Sequence, residues 1–243
     1  MNPYLWRMLE RFSSPWRRDR ESKTAAYSIG ASETGKTFDN LGASGAVTLT
    51  LPQVGSNLKG VIFNFVVAAA QDFRIDPGAG GAFYVNGAKQ SDDKYLESAY
   101  IGDMITVESD NNGDWVVSGV TVIDVSSKYN AASVDDRFMT ANRPWRVIGV
   151  RATVTVAGSD GSAVTAEVEK VPSGTAIASG VDIATATFNL KGTANTVQAG
   201  TLTSTDADLD LVAGDSLAVD FTGTLTAATG VITVALSNWK VEG

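Results

Sequence analysis

The chain contains neither cysteine nor histidine among its 243 residues. Without cysteine there is no disulfide, no thiol nucleophile and no thiolate-held metal, and the redox compartment stays open. Without histidine the commonest general base is gone, and with it the serine triads that depend on it and most zinc or iron sites. No run of eighteen or more apolar residues occurs, so no segment reads as a membrane-spanning helix. The opening residues lack the unbroken apolar stretch of a secretory signal, because Arg7, Glu10 and Arg11 interrupt it. Long helical periodicity is also missing beyond the first dozen residues, which argues against α/β enzyme folds.

What is present is a soluble, β-patterned chain with an uneven charge distribution. Hydrophobic residues make up 44%, and the length suffices for one large or two ordinary domains with real cores. The formal net charge is −8, yet residues 1–24 carry Arg7, Arg11, Arg17, Arg18, Arg20 and Lys23 against Glu10, Asp19 and Glu21, a local +3, leaving −11 on the rest. Such an acidic body repels nucleic acid, whose phosphates bind cationic surface. No nucleic-acid or membrane partner is therefore expected, and the basic segment has the character of an anchor.

Residues 1–24 read as a short amphipathic helix followed by a tether. Asn2 can cap, Pro3 suits the first helical position, and Ser13-Ser14-Pro15 ends the run. At about 100° per residue, Tyr4, Leu5, Met8, Leu9 and Phe12 share one face, with Arg7, Glu10 and Arg11 opposite and Trp6 at the margin. Such a helix can pack on its own domain, dock on a partner subunit, or lie on a membrane surface. Docking is favoured, because Pro15-Trp16-Arg17-Arg18-Asp19-Arg20 leads away as a polar tether. The docking set is then Leu5, Trp6, Arg7, Leu9, Arg11, Phe12, Trp16, Arg17, Arg18 and Arg20.

From residue 25 to 125 the pattern predicts a first β domain. Val47, Leu49 and Leu51 alternate with Thr48 and Thr50, and Val61–Val67 is an apolar run of strand length. Ile101, Met104–Val107 and Trp115–Val117 continue the series. Asp76-Pro77-Gly78, Asn86-Gly87 and Asp110–Gly113 are reversal points, and Asn86-Gly87 is the best hairpin signal. Residues 126–142 break the pattern and read as a connector. From 143 to 243 alternation resumes: Ile148, Val150, Ala152, Val154 and Val156, then Val164, Ala166 and Val168 against Thr165, Glu167 and Glu169, and later Leu217/Val219/Phe221 and Ile232/Val234/Leu236. The expected architecture is all-β: two antiparallel, sandwich- or jelly-roll-like domains behind a basic arm.

The motifs that suggest chemistry are weak in context. Gly30-Ala31-Ser32-Glu33-Thr34-Gly35-Lys36-Thr37 matches the phosphate-binding G-x-x-x-x-G-K-[ST] pattern, which works only as a strand-to-helix loop. Here Gly42 and Gly45 and then a strand follow, so a chance match is favoured. Asp206, Asp208 and Asp210 lie at period two, the spacing of one solvated strand face, and lack the convergent oxygens that calcium requires. Glu108, Asp110 and Asp114 surround a turn, and Asp92-Asp93 and Asp135-Asp136 point apart. Trp115, Trp145 and Trp239 suit core packing, with sugar stacking as the alternative. No catalytic, cofactor-binding or metal-binding residue is assigned, and no enzymatic activity is expected.

Two stretches resemble modules of tailed-bacteriophage virion proteins. The first runs through Gly35-Lys36-Thr37-Phe38-Asp39-Asn40-Leu41-Gly42-Ala43, Val47–Pro52 and Phe63–Val67, then Ala99-Tyr100-Ile101-Gly102-Asp103 and Trp115–Gly119. The second runs from Asp136–Met139 through Pro144–Val147 and Phe188–Gln198 to Ala213–Leu217 and Asp220–Leu225. The resemblance implies a homotrimeric capsid decoration (cement) or head-fibre protein, and with the basic arm the leading expectation is a capsid-surface protein that docks on the major capsid protein. The alternative is a head-fibre or tail protein recognising host surface glycans. The arm falls outside both modules, so its docking role comes from its own residues.

Overall fold

A computed structural model describes residues 19–53, 58, 60–110 and 112–242. They divide into two units: residues 19–120 with 240–242, and 121–239. The helix expected over the first dozen residues lies outside the described residues.

The first unit begins with six short strands: β1 (Arg20–Ser22), β2 (Tyr27–Ser28), β3 (Thr37–Asp39), β4 (Val47–Thr50), β5 (Ile62–Val66) and β6 (Phe73–Asp76). Odd and even strands go to different sheets. β1, β3 and β5 pair in parallel in one, and β2, β4 and β6 pair in parallel in the other. Parallel neighbours need a crossover that returns the chain to the starting end. Here the crossover is a strand of the opposite sheet, so the chain climbs as a three-rung solenoid. Its interior is aromatic. Phe38 lies 6.2 Å from Tyr27 and 6.1 Å from Phe65, and Phe65 lies 6.2 Å from Phe73, which links the two sheets ring by ring.

The remaining strands of this unit are β7 (Phe83–Val85), β8 (Ala88–Lys89), β9 (Tyr95–Ser98), β10 (Met104–Ser109) and β11 (Trp115–Ser118). They extend the sheets as β1-β3-β5-β10-β11-β7-β8 and β2-β4-β6-β9. The β7–β8 hairpin turns at Asn86 (φ 51°) and Gly87 (φ 82°), both left-handed as a two-residue type I′ turn requires. Trp115 is fully buried, 5.9 Å from Phe63, and its indole N–H donates to the Pro77 carbonyl at 3.2 Å.

The second unit is antiparallel in every pairing between its strands. These are β12 (Val122–Tyr129), β13 (Asp136–Thr140), β14 (Trp145–Val156), β15 (Thr165–Val171), β16 (Val181–Asp182), β17 (Phe188–Asn189), β18 (Thr196–Ala199), β19 (Asp210–Leu211), β20 (Ser216–Thr222) and β21 (Thr229–Ser237). One sheet runs β12-β21-β14-β18 with β19 on β14, the other β13-β20-β15-β16 with β17 on β15. Val150, Ala152, Ile232, Val234 and Leu236 of the first sheet meet Ala166, Val168, Leu217 and Val219 of the second in one buried cluster. This is a sandwich. After it, β22 (Lys240–Glu242) returns to the first unit and pairs antiparallel with β9.

The all-β expectation holds, with three differences of detail. Pairing in the first unit is mixed rather than antiparallel, because the solenoid rungs run in one direction. Residues 126–142, read as a connector, supply half of β12 and all of β13. Their polar residues face out while Tyr129 is buried, a one-sided pattern that short windows hide. Arg20–Ser22, assigned to the arm, is already a sheet strand, because its backbone completes the ladder beside β3.

Candidate functional site

Of the expected docking residues, Leu5, Trp6, Arg7, Leu9, Arg11, Phe12, Trp16, Arg17 and Arg18 lie outside the described residues. Arg20 is described, and its guanidinium pairs with the fully buried carboxylate of Asp39. Burial pushes Asp39 up, but Arg20 and the amide of Leu41 at 2.9 Å outweigh it and hold the group below the ordinary aspartate value.

The phosphate-loop lookalike is a structural turn. Ala31–Glu33 forms one 3-10 turn, Gly35 is left-handed at φ 85°, and Thr37 enters a strand rather than a helix. Lys36 is committed to carboxylates, with its Nζ 2.9 Å from both Glu21 and Glu33. The Asp206/Asp208/Asp210 series is not a strand face. Asp206–Leu209 makes a single helical turn, and only Asp210 enters β19. The reason is electrostatic: the largely buried Arg146 side chain gathers Asp206 and, at 3.0 Å, Asp210. Asp110 organises its turn by accepting the amides of Asn112 and Asp114, while Asp114 pairs with Lys89 at 2.7 Å. Trp115 and Trp239 are buried, as expected of core residues, and Trp145 is half-buried with the Arg143 guanidinium 5.0 Å from its ring centre.

A different cluster stands out on the outer face of the second unit. Alternation along β15 sends Ala166 and Val168 into the core and Glu167 and Glu169 the other way. Sheet order then brings further acids beside them. Glu167 is directly opposite Asp220 of β20, and Glu169 is directly opposite Asp182 of β16. Like charges placed opposite one another across strands destabilise a sheet. Among the described residues, no lysine or arginine pairs with any of these four carboxylates. Nearby Asp135 instead accepts the Phe221 amide at 2.8 Å.

Glu169 is the unusual member. It points away from the core yet is only 6% exposed, with Gly180 packed against it. Gly180 lies so close that a Cβ there would overlap the Glu169 carboxylate and force it to shift. Glu169 Oε2 is buried without a hydrogen-bond partner. Burial, then the charges of Asp220, Asp182, Glu167 and Asp135, push its pKa up to about 7. Glu167 and Asp220 are raised in the same way, burial first and neighbouring carboxylates after.

Glu167, Glu169 and Asp182 each bring one carboxylate oxygen within 4.8 Å of the others. Beside them is a hollow of about 120 Å³, lined by Glu167, Asp182, Ala184, Thr185 and Thr187 among others. Such a group can share a proton or hold a hard cation. The sequence assigned no metal site, and the acidic series it weighed, Asp206/Asp208/Asp210, lies elsewhere. Glu167 and Glu169 were visible only as outward positions of a strand, and Asp182 and Asp220 join them through strand order, for which local spacing carries no signal.

No family model and no curated protein matches the chain. Several solved structures show partial likeness. A chain of the cyanophage Pam1 capsid asymmetric unit aligns at 15% identity and TM-score 0.33 over 49% of this chain and 82% of that one. A chain of infectious bursal disease virus, Gx strain, aligns at 10% and 0.30 over 63% and 44%. A chain of the Bacillus endospore appendages, described as disulfide-linked pili, aligns at 15% and 0.23 over 49% and 86%. With TM-scores below 0.5, none of the three defines a shared fold.

Proposed function

We propose that the chain is a structural protein of a tailed-bacteriophage virion that decorates the capsid, gripping the major capsid protein through residues 1–18 and acting as a homotrimer. One observation supports this above others: the residues that resemble phage virion modules are the ones that build the first unit. Phe38 and Asp39 are buried in β3, Asn40 ties β3 to the chain beyond β5, Gly42 and Gly102 take left-handed turns, and Trp115 fills the core. The resemblance thus coincides with the folding determinants of the unit rather than with interchangeable surface positions.

In this reading the two β units are the displayed body and the basic segment is the grip. Arg20, its charge engaged by Asp39, marks where that grip leaves the first sheet. Buried anchors contribute about 1.5–3 kcal/mol each at full burial, against about 0–1 kcal/mol for an exposed ion pair. Phe12→Ala or Leu9→Ala should therefore weaken capsid binding about tenfold or more, and any single Arg→Ala by less. Co-sedimentation with heads lacking the protein tests the proposal, using the full chain and a variant without residues 1–18. Retention of the full chain and loss of the variant are expected. Equal coating by both would overturn the proposal. Truncation at Thr24 would be the wrong test, because it also removes β1.

A further inference from the structure

We propose that the carboxylates of Glu167 and Glu169 on β15 and Asp182 on β16 form a divalent-cation site, matched to calcium, at the edge of the hollow that Glu167 and Asp182 line. The donor set contains carboxylate oxygen only, which suits hard cations such as calcium, magnesium and manganese. Calcium–oxygen distances run about 2.3–2.6 Å, so two oxygens on opposite sides of one ion stand roughly 5 Å apart. Three oxygens within 4.8 Å of one another therefore have the spacing of ligands around a single calcium ion.

The strongest support is Glu169 itself. A carboxylate that is 6% exposed, with one oxygen buried and unpartnered, loses hydration and receives no hydrogen bond in return. The neighbouring charges that act on it most, Asp220, Asp182, Glu167 and Asp135, are all acids. Arg137, in the same cross-strand row through Ala218, is turned to the Thr175 carbonyl, and Lys170 donates to the carbonyls of Ala207 and Asp210. A dication supplies the missing positive charge where the protein offers none. The adjoining hollow of about 120 Å³ also leaves space for waters to join the carboxylates as ligands.

The bound ion would join β15 to β16, a two-residue edge strand, and so pin the Ile177–Gly180 turn. Gly180 has an ordinary extended backbone (φ −68°, ψ −178°), so alanine is conformationally allowed there. What glycine provides there is space around the Glu169 carboxylate.

Isothermal titration of the full chain with calcium chloride, after chelation and desalting, tests the site, with magnesium and manganese chloride titrated in parallel. One calcium per chain is expected, together with a rise in the melting temperature of the second unit. Glu167→Gln, Asp182→Asn and Gly180→Ala should each weaken calcium binding at least tenfold. Asp206→Asn, at the Arg146 cluster, should leave it unchanged. Circular dichroism of each variant separates lost binding from lost folding. Absence of calcium binding by the folded wild-type chain would overturn the site. Undiminished binding by a folded Glu167→Gln/Asp182→Asn double variant would do the same. Neither outcome bears on capsid docking.

Discussion

Glu169 sets the acid–base behaviour of the second unit at the level of one residue. Burial and the charges of Asp220, Asp182, Glu167 and Asp135 raise its pKa to about 7, against 4.5 for an ordinary glutamate. Between those values the folded chain holds a proton that the unfolded chain releases, so folding is favoured by acid. The contribution is fully present below about pH 4.5 and is lost as pH rises through about 7. In chelator, the melting temperature of the second unit should therefore fall between pH 5 and pH 8. Glu169→Gln removes the charge at nearly constant volume, so it should raise the pH 8 value and flatten the profile. A residual slope is expected from Glu167 and Asp220, which are raised in the same direction. Thermal melts at the two pH values check this, and identical profiles for wild type and variant would refute it.

The solenoid rungs are held at the level of elements by one buried amide. Asn40, fully buried after β3, accepts the amides of Ala68 and Ala69 at 2.7 and 2.9 Å and donates to the carbonyls of Ala69 and Gln71 at 3.1 and 3.2 Å. Four hydrogen bonds from one side chain fix where the chain leaves β5 for β6. Asn40→Ala leaves partly buried backbone groups unpaired, at up to about 1–3 kcal/mol each, so a clear loss of stability from the first unit is expected in urea titrations. Asn40→Asp removes only the donors and should cost less than alanine unless the new charge stays ionised in the core. The strands around this residue were legible in sequence, since Val47–Leu51 and Val61–Val67 show their period directly. Their sheet assignment was not. A period of two marks a strand without saying which neighbour it pairs with or in which direction, so a solenoid and a set of hairpins look alike. The Asn86-Gly87 hairpin was legible because its chemistry is local. The acidic site was not, because its members come from three strands and meet only through sheet order.

Across the whole molecule, the chain leaves the first unit at residue 120, builds the second, and comes back for its final strand. Entry and exit of the second unit are tied together: Thr121 and Asn238 exchange hydrogen bonds at 2.7 and 3.1 Å. The returning β22 covers the open edge of β9 and brings Lys240 to 2.7 Å from Glu97, a carboxylate 3% exposed that also pairs with Arg74. Each unit has its own buried core, so heat should unfold the chain in two transitions rather than one. Deleting residues 240–243 uncovers β9 and takes one of the two cations from a buried carboxylate, changes confined to the first unit. Losing one partner of a buried ion pair costs about 3–5 kcal/mol, and Arg74, which stays in place, should reduce the loss below that range. Scanning calorimetry of the truncated chain should show the first unit's transition lowered by several degrees, while the second unit's transition and its response to calcium stay in place. Equal lowering of both would mean that the two cores melt as one cooperative body and that the final strand stabilises the whole chain rather than the unit it joins.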